Sequence, residues 1–268
     1  MKPNTSDLLR TIRLGGIAAL LAASHAACAA DTPYPALVLD DVKHVITAPA
    51  RWERDEWRDF GLSALAVVGT AALIDRPLRD EMRRHSGTDR SVRQVERFGA
   101  EYSLAVLGGF YLAGNAMDNE KSIQVAQDGL AASLIASGLV TPALKYVTGR
   151  RRPYENAGTG TFRPFTNANA SFPSGHTTQA FAVASVIADH YEETWIACAS
   201  YSVAGLVGLA RSYHDAHFAS DIVAGAMIGT LVGKSVVAHN QAARSGRLAL
   251  LPEVAPGRVG MRLTGQFQ

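Results

Sequence analysis

The stretch FPSGHTTQAFAVASVIA, residues 172–188, decides the fold. It opens with Pro, Ser and Gly ahead of His176, and residues of this kind commonly begin a helix. An uninterrupted run rich in Ala and Val follows, and it is longer than an ordinary strand. The stretch therefore predicts an apolar helix whose first turn carries a histidine.

Five more runs rich in Ala, Leu, Val and Gly lie on either side of this helix. Together with it they form the set Phe60–Ile74, Tyr102–Met117, Gly129–Leu144, Thr177–Ala188, Trp195–Ala210 and Ile222–Gly233. Each run exceeds the usual length of a strand, so we predict helices. The sequence thus predicts an all-α fold, a helical bundle of about six apolar helices that covers residues 60–238.

The segments around these runs are polar. Residues 75–96 carry dense charge of both signs and predict an exposed helix or loop, and residues 150–173 contain Gly, Pro and Asn and predict a loop. A polar lead-in, residues 31–59, contains a charged stretch at 52–59 that indicates either a solvated helix or an amphipathic helix on a membrane surface. The C-terminal tail, residues 239–268, alternates like a strand at 259–264, so it is either a short strand or lacks regular structure.

The first thirty residues have the pattern of a secretory signal peptide. The positive start and the short apolar core are Lys2, Arg10, Arg13 and Leu14–Ala23. Residues 1–30 therefore predict export, with an uncleaved membrane anchor or a lipoprotein signal at Cys28 as alternatives. Removal of the signal leaves Cys198 as the single cysteine and allows no intramolecular disulfide.

Composition leaves the membrane question open. Apolar residues make up 47% and charged residues 19% of the chain, and the formal net charge is +2. These values exclude a disordered chain and give no basis for nucleic-acid binding. The uncharged runs are mostly shorter than the roughly twenty residues of a membrane span, so an integral and a soluble bundle both stay open. If all six helices crossed the membrane after signal removal, the loop after the third would face the cytoplasm. An external active site then requires an uncleaved first segment, a non-spanning helix or a soluble bundle.

Three segments at helix ends carry the residues that suggest chemistry. They are KYVTGRRRP at 145–153, FPSGHT at 172–177 and ARSYHDAHFASD at 210–221. Lys145, Arg152 and Arg211 supply positive charge, and arginine forks and lysine ammonium groups bind phosphate oxygens. Phosphoryl transfer depends mainly on positioning and charge stabilisation. These three cations therefore predict a phosphate site that needs no metal ion.

The second and third segments add an anion site and two histidines. Free N–H groups at a helix start bind anions, Gly175 allows close approach of the backbone, and Ser174 adds a hydroxyl. His217 and Asp221 are four residues apart and share a helix face. A carboxylate that holds one imidazole nitrogen leaves the other free to attack, so we predict His217 as the nucleophile and Asp221 as its orienting residue. His176 is then the acid that protonates the leaving alcohol and the base that activates water.

Each segment taken alone also has a simpler interpretation. The cluster Arg150–Arg152 is typical of a solvated helix end, and Pro-Ser-Gly-His is typical of any helix start. His214 and His217 together with Asp221 could instead bind a metal ion. That alternative leaves three nearby cations to repel the metal.

At these residues the chain resembles the type 2 phosphatidic acid phosphatase and vanadium haloperoxidase superfamily. The family pattern is Lys, six residues, Arg-Pro; then Pro-Ser-Gly-His; then Ser-Arg, five residues, His, three residues, Asp. This chain has, in the same order and spacing, Lys145, Arg152-Pro153, Pro173–His176, Arg211, His217 and Asp221. The resemblance covers residues 129–238.

The resemblance implies a helical bundle, phosphate binding and the two histidine roles given above. The phosphate-binding residues that it implies are Lys145, Arg152, Ser174, Gly175, His176 and Arg211. One departure is Ala210, where the family usually has Ser, which removes a hydroxyl near the phosphate. Because the nucleophile, the acid and the cations are retained, we do not interpret this departure as inactivating.

The leading interpretation is a phosphoric monoester hydrolase that forms a phosphohistidine on His217 and needs neither metal nor cofactor. We expect it to be exported, in the periplasm or in a membrane with a periplasm-facing active site. A lipid phosphate is the favoured substrate because the apolar helices are numerous, and a soluble periplasmic acid phosphatase acting on small phosphomonoesters is the alternative. A vanadate-dependent haloperoxidase and a non-catalytic membrane scaffold are further alternatives. The sequence predicts no oligomeric state.

Overall fold

The protein is described from a computed structural model. It describes residues 33–245 except 86, 88, 167 and 168, together with the backbone of 249–255 and 258–264. The predicted signal peptide, residues 1–30, lies outside these residues.

The described chain is a bundle of helices, which confirms the predicted all-α fold. The helices are α1 Tyr34–Thr47, α2 Arg54–Leu73, α3 Asp75–His85, α4 Arg90–Glu96, α5 Glu101–Ala116, α6 Glu120–Ser133, α7 Thr141–Thr148, α8 Gly175–His190, α9 Thr194–Tyr213 and α10 Ala219–Ser245. A π-helical segment, Leu134–Val140, joins α6 to α7, and single 3₁₀ turns occupy Ala48–Arg51, Arg97–Gly99 and Pro153–Glu155. The six apolar runs lie in helical structure, except that Ile74 and Met117 each follow the last residue of a helix.

Several helices begin before the apolar run that predicted them, because polar residues cap their first turns. The backbone N–H of Glu53 donates to Glu56 Oε2 at 2.9 Å, in a capping box that starts α2 ahead of Phe60. Asn119 Oδ1 accepts from the N–H of Ser122 at 3.1 Å and starts α6. Caps of this kind satisfy N–H groups that have no partner within the helix.

Helix α8 lies at the centre of the bundle. One face of α8 packs between α6 and α10 in a core of small and branched side chains, which are Ala131, Ala132, Ile135, Ala136, Ala182, Val186, Val232, Val236 and Val237. A second buried cluster joins Ala180 and Ala184 to Ala204 and Val207 of α9. The helix that begins at the Pro-Ser-Gly-His turn is therefore held on several sides, and its first residues cannot move independently of the core.

Three glycines on successive turns of α10 bring its backbone against α8. A Cβ added to Gly225 would lie 2.6 Å from Ser174 O, one on Gly229 would lie 2.4 Å from Thr178 O, and one on Gly233 would lie 2.8 Å from Ala182 O. These distances leave no room for a methyl group without movement of one helix. The close seam fixes the start of α8 relative to α10.

The end of the bundle far from the start of α8 contains a buried polar cluster. Asp128 of α6 is fully buried. It accepts hydrogen bonds from Asn240 at 2.9 Å and from Arg244 at 2.8 and 3.0 Å, and His190 Nε2 lies 2.9 Å away. A buried carboxylate is tolerated where it is paired and hydrogen-bonded, so this cluster ties the ends of α8 and α10 to α6.

Within the described residues, two helical stretches are long and apolar enough to cross a membrane. They are the continuous stretch Glu120–Thr148, with 29 residues, and α10, with 27 residues; α2 and α3, bent by 57°, meet the same criterion as one broken span. Large apolar side chains are exposed on the outer faces, such as Leu65 at 66% and Leu112 at 70%. Exposed apolar surface of this extent is unusual for a soluble monomer. These features indicate a membrane-associated protein.

The charged linker and the tail add two details. The linker contains the helices α3 and α4, but Asp75 at its start is fully buried, so the linker is not exposed throughout. In the tail, the alternating stretch lies in β2, Arg258–Thr264, which pairs antiparallel with β1, Ala249–Ala255.

We predict that Gly229→Ala lowers the thermal unfolding midpoint in detergent, because the added methyl group would overlap Thr178 O. Overpacking of this kind costs about 1–3 kcal/mol. Gly205→Ala in α9 is the matched control, since nothing lies within 4 Å of its added Cβ and alanine favours a helix by about 1 kcal/mol over glycine. Circular dichroism melting curves compare the two variants, and equal midpoints would contradict the close seam.

Candidate active site

The three motifs predicted from the sequence meet at one end of the bundle. Lys145 lies on the last turns of α7, Ser174 is the residue before α8, and Asp221 lies in the first turn of α10. The N–H of Ser174 donates to Asp221 O at 2.9 Å. A Cβ added to Gly175 would lie 4.0 Å from Lys145 Cε. The first, second and third motifs are thus in direct contact.

Asp221 connects the third motif to its surroundings through both carboxylate oxygens. Oδ2 accepts from the N–H of Phe218 at 2.8 Å and from the hydroxyl of Ser171, and it lies 3.7 Å from Nδ1 of His217. Oδ1 accepts from Arg150. The carboxylate and the Ser171 hydroxyl, at 3.5 Å, both face Nδ1 of His217. The contacts of the ring with these two groups are therefore made at Nδ1 and not at Nε2.

Arg150, which the sequence grouped with a solvated helix end, is buried and joins two carboxylates. Its exposure is 3%. Nη1 donates to Asp221 Oδ1 at 2.6 Å and Nη2 donates to Asp75 Oδ2 at 2.7 Å. The guanidinium also lies 4.3 Å from the ring centre of Phe218, and Ser220 donates its N–H to Asp75 Oδ1 at 2.8 Å. Arg150 is therefore a buried structural cation behind the site.

Each of the three predicted phosphate-binding cations is held by an acceptor outside its own motif. Lys145 Nζ donates to the carbonyl of Ala170. Arg152 donates from Nε to the carbonyl of Asn169 at 3.1 Å and from Nη2 to its side chain at 3.0 Å. Burial lowers the pKa of Arg152, and the positive charge of Arg211 acts in the same direction. The effect of Arg211 on Arg152 shows that these two cations lie near each other.

Glu96, at the end of α4, holds Arg211 and a second side chain of the third motif. Its Oε1 accepts from Arg211 Nη1 at 2.7 Å and lies 2.7 Å from His214 Nδ1. In α3, Arg83 forms a two-pronged ion pair with Asp215, with Nη2 2.8 Å from Oδ2. The linker helices therefore position the third motif, although the sequence predicted no role for them.

His176 lies in the first turn of α8, against the 3₁₀ turn that ends at Gly99. A Cβ added to Gly99 would lie 2.5 Å from the carbonyl oxygen and 2.8 Å from Cβ of His176. This contact leaves space only for glycine. It fixes the backbone of His176 from the side of α4 and α5.

His214 and His217 face different carboxylates, which bears on the alternative of a metal site. His214 contacts Glu96, whereas His217 contacts Asp221. Among the residues that the structure describes, no three His, Cys, Asp or Glu side chains form a group suited to a metal ion. The contacts give the metal-site interpretation of these histidines no geometric support.

Burial lowers the pKa of His217 to about 4. The charge of Asp221 opposes this shift, while the charges of Lys145 and Arg211 add to it. The imidazole is therefore neutral at neutral pH, with an uncharged nitrogen beside two cations. Because the folded state binds this proton more weakly than the unfolded state, the contribution of His217 to stability is lost as the pH falls from 6.5 towards 4.

Four supporting residues were not found from the sequence, and they are Asp75, Glu96, Arg150 and Ser171. A charged residue directly after an apolar run, as Asp75 is, gives a weak signal of a buried carboxylate. Glu96, Arg150 and Ser171 give no signal of their own, because their partners lie 115, 71 and 50 residues away along the chain.

The comparison with protein families gives the same segment of the chain. The model of the PAP2 superfamily matches residues 129–245, a range that contains all three motifs and the core of α6, α8 and α10. Residues 129–245 of this chain are therefore similar to the PAP2 superfamily. The match extends slightly beyond residues 129–238, the range covered by the resemblance noted above.

Curated relatives of this chain include lipid A 1-phosphatases. One from Porphyromonas gingivalis is 42% identical over 77 residues, which are 28% of this chain and 17% of that protein. One from Rhizobium johnstonii is 33% identical over 130 residues, which are 45% of this chain and 51% of that protein. The chain therefore matches about half, or less, of the length of these relatives.

Two solved structures are also similar. The crystal structure of Aquifex aeolicus LpxE has a TM-score of 0.47 at 23% identity and covers 62% of this chain and 95% of that chain. The crystal structure of a transmembrane PAP2-type phosphatidylglycerolphosphate phosphatase from Bacillus subtilis has a TM-score of 0.40 at 17% identity and covers 80% of this chain and 98% of that chain.

We predict that the imidazole of His217 titrates near pH 4 in the folded protein. Its ring resonances are identified by NMR in detergent as those that disappear in a His217→Asn variant. Their chemical shifts, followed from pH 8 downwards, are expected to stay at the neutral value through pH 6, because burial disfavours the charged ring. A midpoint at or above pH 6.5 would show that the ring is solvated.

Proposed function

We propose that this protein is a metal-independent phosphatase that hydrolyses phosphate monoesters through a phosphohistidine intermediate on His217. The observation that carries the proposal is the buried imidazole of His217, whose Nδ1 faces Asp221 Oδ2 at 3.7 Å, in an electrostatic environment to which Lys145 and Arg211 contribute. A neutral imidazole with one nitrogen held by a carboxylate is a nucleophile at the other nitrogen.

In the first step, the lone pair of His217 Nε2 attacks phosphorus in line with the leaving oxygen. The bond from phosphorus to that oxygen breaks, and His176 gives the departing alkoxide a proton. Nδ1 keeps its proton toward Asp221, so the developing positive charge on the ring is balanced by the carboxylate. The products of this step are the free alcohol and a phosphorylated His217.

In the second step, water attacks the phosphohistidine while His176 takes a proton from it. The nitrogen–phosphorus bond breaks, phosphate leaves, and His217 returns to its neutral form. General acid–base catalysis by one group in both directions contributes about 10²–10⁴-fold to such reactions. No step consumes a co-reactant other than water.

The cations and the start of α8 stabilise the charge that is shared by both steps. Lys145, Arg152 and Arg211 surround the phosphate oxygens, and the N–H of Gly175 adds a donor at the positive end of the α8 dipole. Preorganised donors of this kind usually make the largest single contribution to catalysis. In this assignment they replace the metal ion that many phosphoryl-transfer enzymes use.

A lipid phosphate is the proposed substrate class, with the active site facing the periplasm. Two observations support the lipid: the apolar stretches long enough to cross a membrane, and the named activity of the relatives, which is directed at lipid A. The predicted export signal supports the periplasmic orientation. Ala210, in place of the usual Ser, lies buried on α9, and the contacts of Arg211 with Glu96 are kept.

We predict that His217→Asn reduces phosphate release by at least about a thousandfold, because no other group can accept the phosphoryl group. Phosphate release is measured with phosphatidic acid and with p-nitrophenyl phosphate, and acid-labile, base-stable labelling identifies phosphohistidine. His239→Asn, the same change at a half-exposed histidine that pairs with Asp40, is the matched control and is expected to keep activity. EDTA is expected to leave the rate unchanged. Strong inhibition by EDTA, or labelling that persists in His217→Asn, would contradict the mechanism.

We predict that Asp75→Asn lowers kcat by about a hundredfold and leaves KM nearly unchanged, an effect within the range caused by small misplacements of catalytic groups. Arg150 then loses one of its two carboxylates and binds Asp221 alone, so less of the Asp221 charge is directed to His217, while the phosphate-binding cations stay in place. Asp80→Asn on the same helix is the control, since Asp80 is exposed and pairs with its neighbour Arg79. Equal loss of kcat in both variants, or a change confined to KM, would rule out this positioning role.

A further inference from the structure

A cavity of about 420 Å³ opens beside the phosphate site. It lies among the residues that follow α7 and the loop that returns towards α8. Arg152 and Ala170 belong to both places: Arg152 lines the cavity, and Ala170, which also lines it, accepts the hydrogen bond of Lys145. One molecule could therefore reach both the phosphate site and the cavity.

The cavity carries an excess of positive charge. Arg150, Arg151, Arg152 and Arg163 line it, against the single carboxylate of Glu155. Arg150 is balanced by two aspartates, but the other three arginines are not balanced in this way. Glu155 is already engaged, because its Oε2 accepts the backbone N–H of Arg152 at 2.7 Å. The positive charge of the cavity wall therefore favours the binding of an anion.

Two of these arginines, Arg151 and Arg163, have N–H groups that can bind a ligand. Nε of Arg151 is buried and lacks a hydrogen-bond partner, although Glu155 Oε2 lies 3.2 Å away. Arg163 is exposed to solvent, and within the part of the chain that the structure describes it forms no ion pair with a carboxylate. A buried donor without a partner is costly unless a ligand satisfies it. Arg151 and Arg163 are therefore candidates to bind a ligand.

Backbone hydrogen bonds join the two walls of the cavity, which are residues 149–151 and 161–163, so the cavity exists without a ligand. Arg163 N–H donates to Gly149 O and Arg151 N–H donates to Thr161 O, both at 3.0 Å. Gly149 has a φ of +57°, and a Cβ there would lie 1.7 Å from Arg163 O. Only glycine allows this approach, which holds Arg163 opposite Arg151.

We propose that this cavity binds a second phosphate group on the headgroup of the substrate, next to the phosphate that is hydrolysed. This proposal rests on the proposed function. Arginine forks match phosphate oxygens, and a cavity of this size holds a small molecule rather than one ion, since ligand sites commonly measure about 300–1,000 Å³. The second phosphate lies either directly on the first, in a diphosphate, or at the far end of a sugar headgroup.

The test compares substrates that differ only in the second phosphate, in neutral detergent micelles. One pair is diacylglycerol monophosphate and diacylglycerol diphosphate, and the other is a diacylated disaccharide with one or with two terminal phosphates. Arg163→Gln and Arg151→Gln are each expected to lower kcat/KM for a doubly phosphorylated lipid about tenfold or more, as loss of a charged hydrogen bond does, and to leave its singly phosphorylated partner unchanged. Arg58→Gln, an exposed arginine of α2 paired with Asp55 and Asp59, is the control.

The pair that responds identifies where the second phosphate lies. Equal losses on singly and doubly phosphorylated lipids would overturn the proposal, since the cavity would then serve the reacting phosphate or the fold. No loss on any substrate would also overturn it.

A binding measurement separates this proposal from the catalytic one. In the His217→Asn background, which is not expected to turn over, the dissociation constants of the same lipids are measured with and without Arg163→Gln. Weaker binding of only the doubly phosphorylated lipid supports the second site, even if the unmutated protein releases no phosphate from any lipid. Absence of phosphate release would instead count against the proposed phosphatase. Equal affinity for the two lipids of each pair would refute the second site, whatever the activity.

Discussion

The buried pairing of Arg150 with Asp75 and Asp221 is the interaction on which the rest of the site depends. Isolated charges cannot be buried at low cost, but a guanidinium between two carboxylates satisfies most of its donors. The pairing joins α3, the loop after α7 and the start of α10, which are far apart in the sequence. Loss of Arg150 would leave two uncompensated buried carboxylates, so the relative positions of these three segments depend on it.

The other residues of the site are positioned by contacts that start from this pairing. Asp221 faces His217 from one side, and the N–H of Ser174 donates to the carbonyl of the same Asp221, so His217 and the start of α8 are positioned by one residue. The close contact between α8 and α10 at the three glycines then fixes the two helices relative to each other along the bundle. Glu96 fixes Arg211 from a different direction. The positions of the site residues therefore depend on the close packing of the helices behind them.

The sequence predicted the helices and the motif residues, and it did so for clear physical reasons. Apolar runs identify buried or lipid-facing helices without knowledge of their partners, and the three motifs contain residue types that phosphate chemistry requires. The starts of α2 and α6 were missed because polar capping residues lie outside an apolar run. Arg150 was misjudged because burial depends on Asp75, 75 residues earlier, and no local pattern connects the two. The charged linker helices α3 and α4 were predicted to be exposed, because the partners of their charged side chains are also distant in the sequence. Arg83 and Glu96 in fact contact residues of the third motif.

Helix α10 carries Asp221 in its first turn and Arg244 in its last, and its 27 residues correspond to about 40 Å. When such a helix crosses a bilayer, these two residues lie near opposite faces, and the catalytic end is open to one face alone. Under the proposed function, a lipid headgroup then meets the protein in the leaflet where it already resides, and the released phosphate enters the compartment on that same side. If the substrate is a lipid, the polarity of a single helix thus determines which of the two leaflets supplies it.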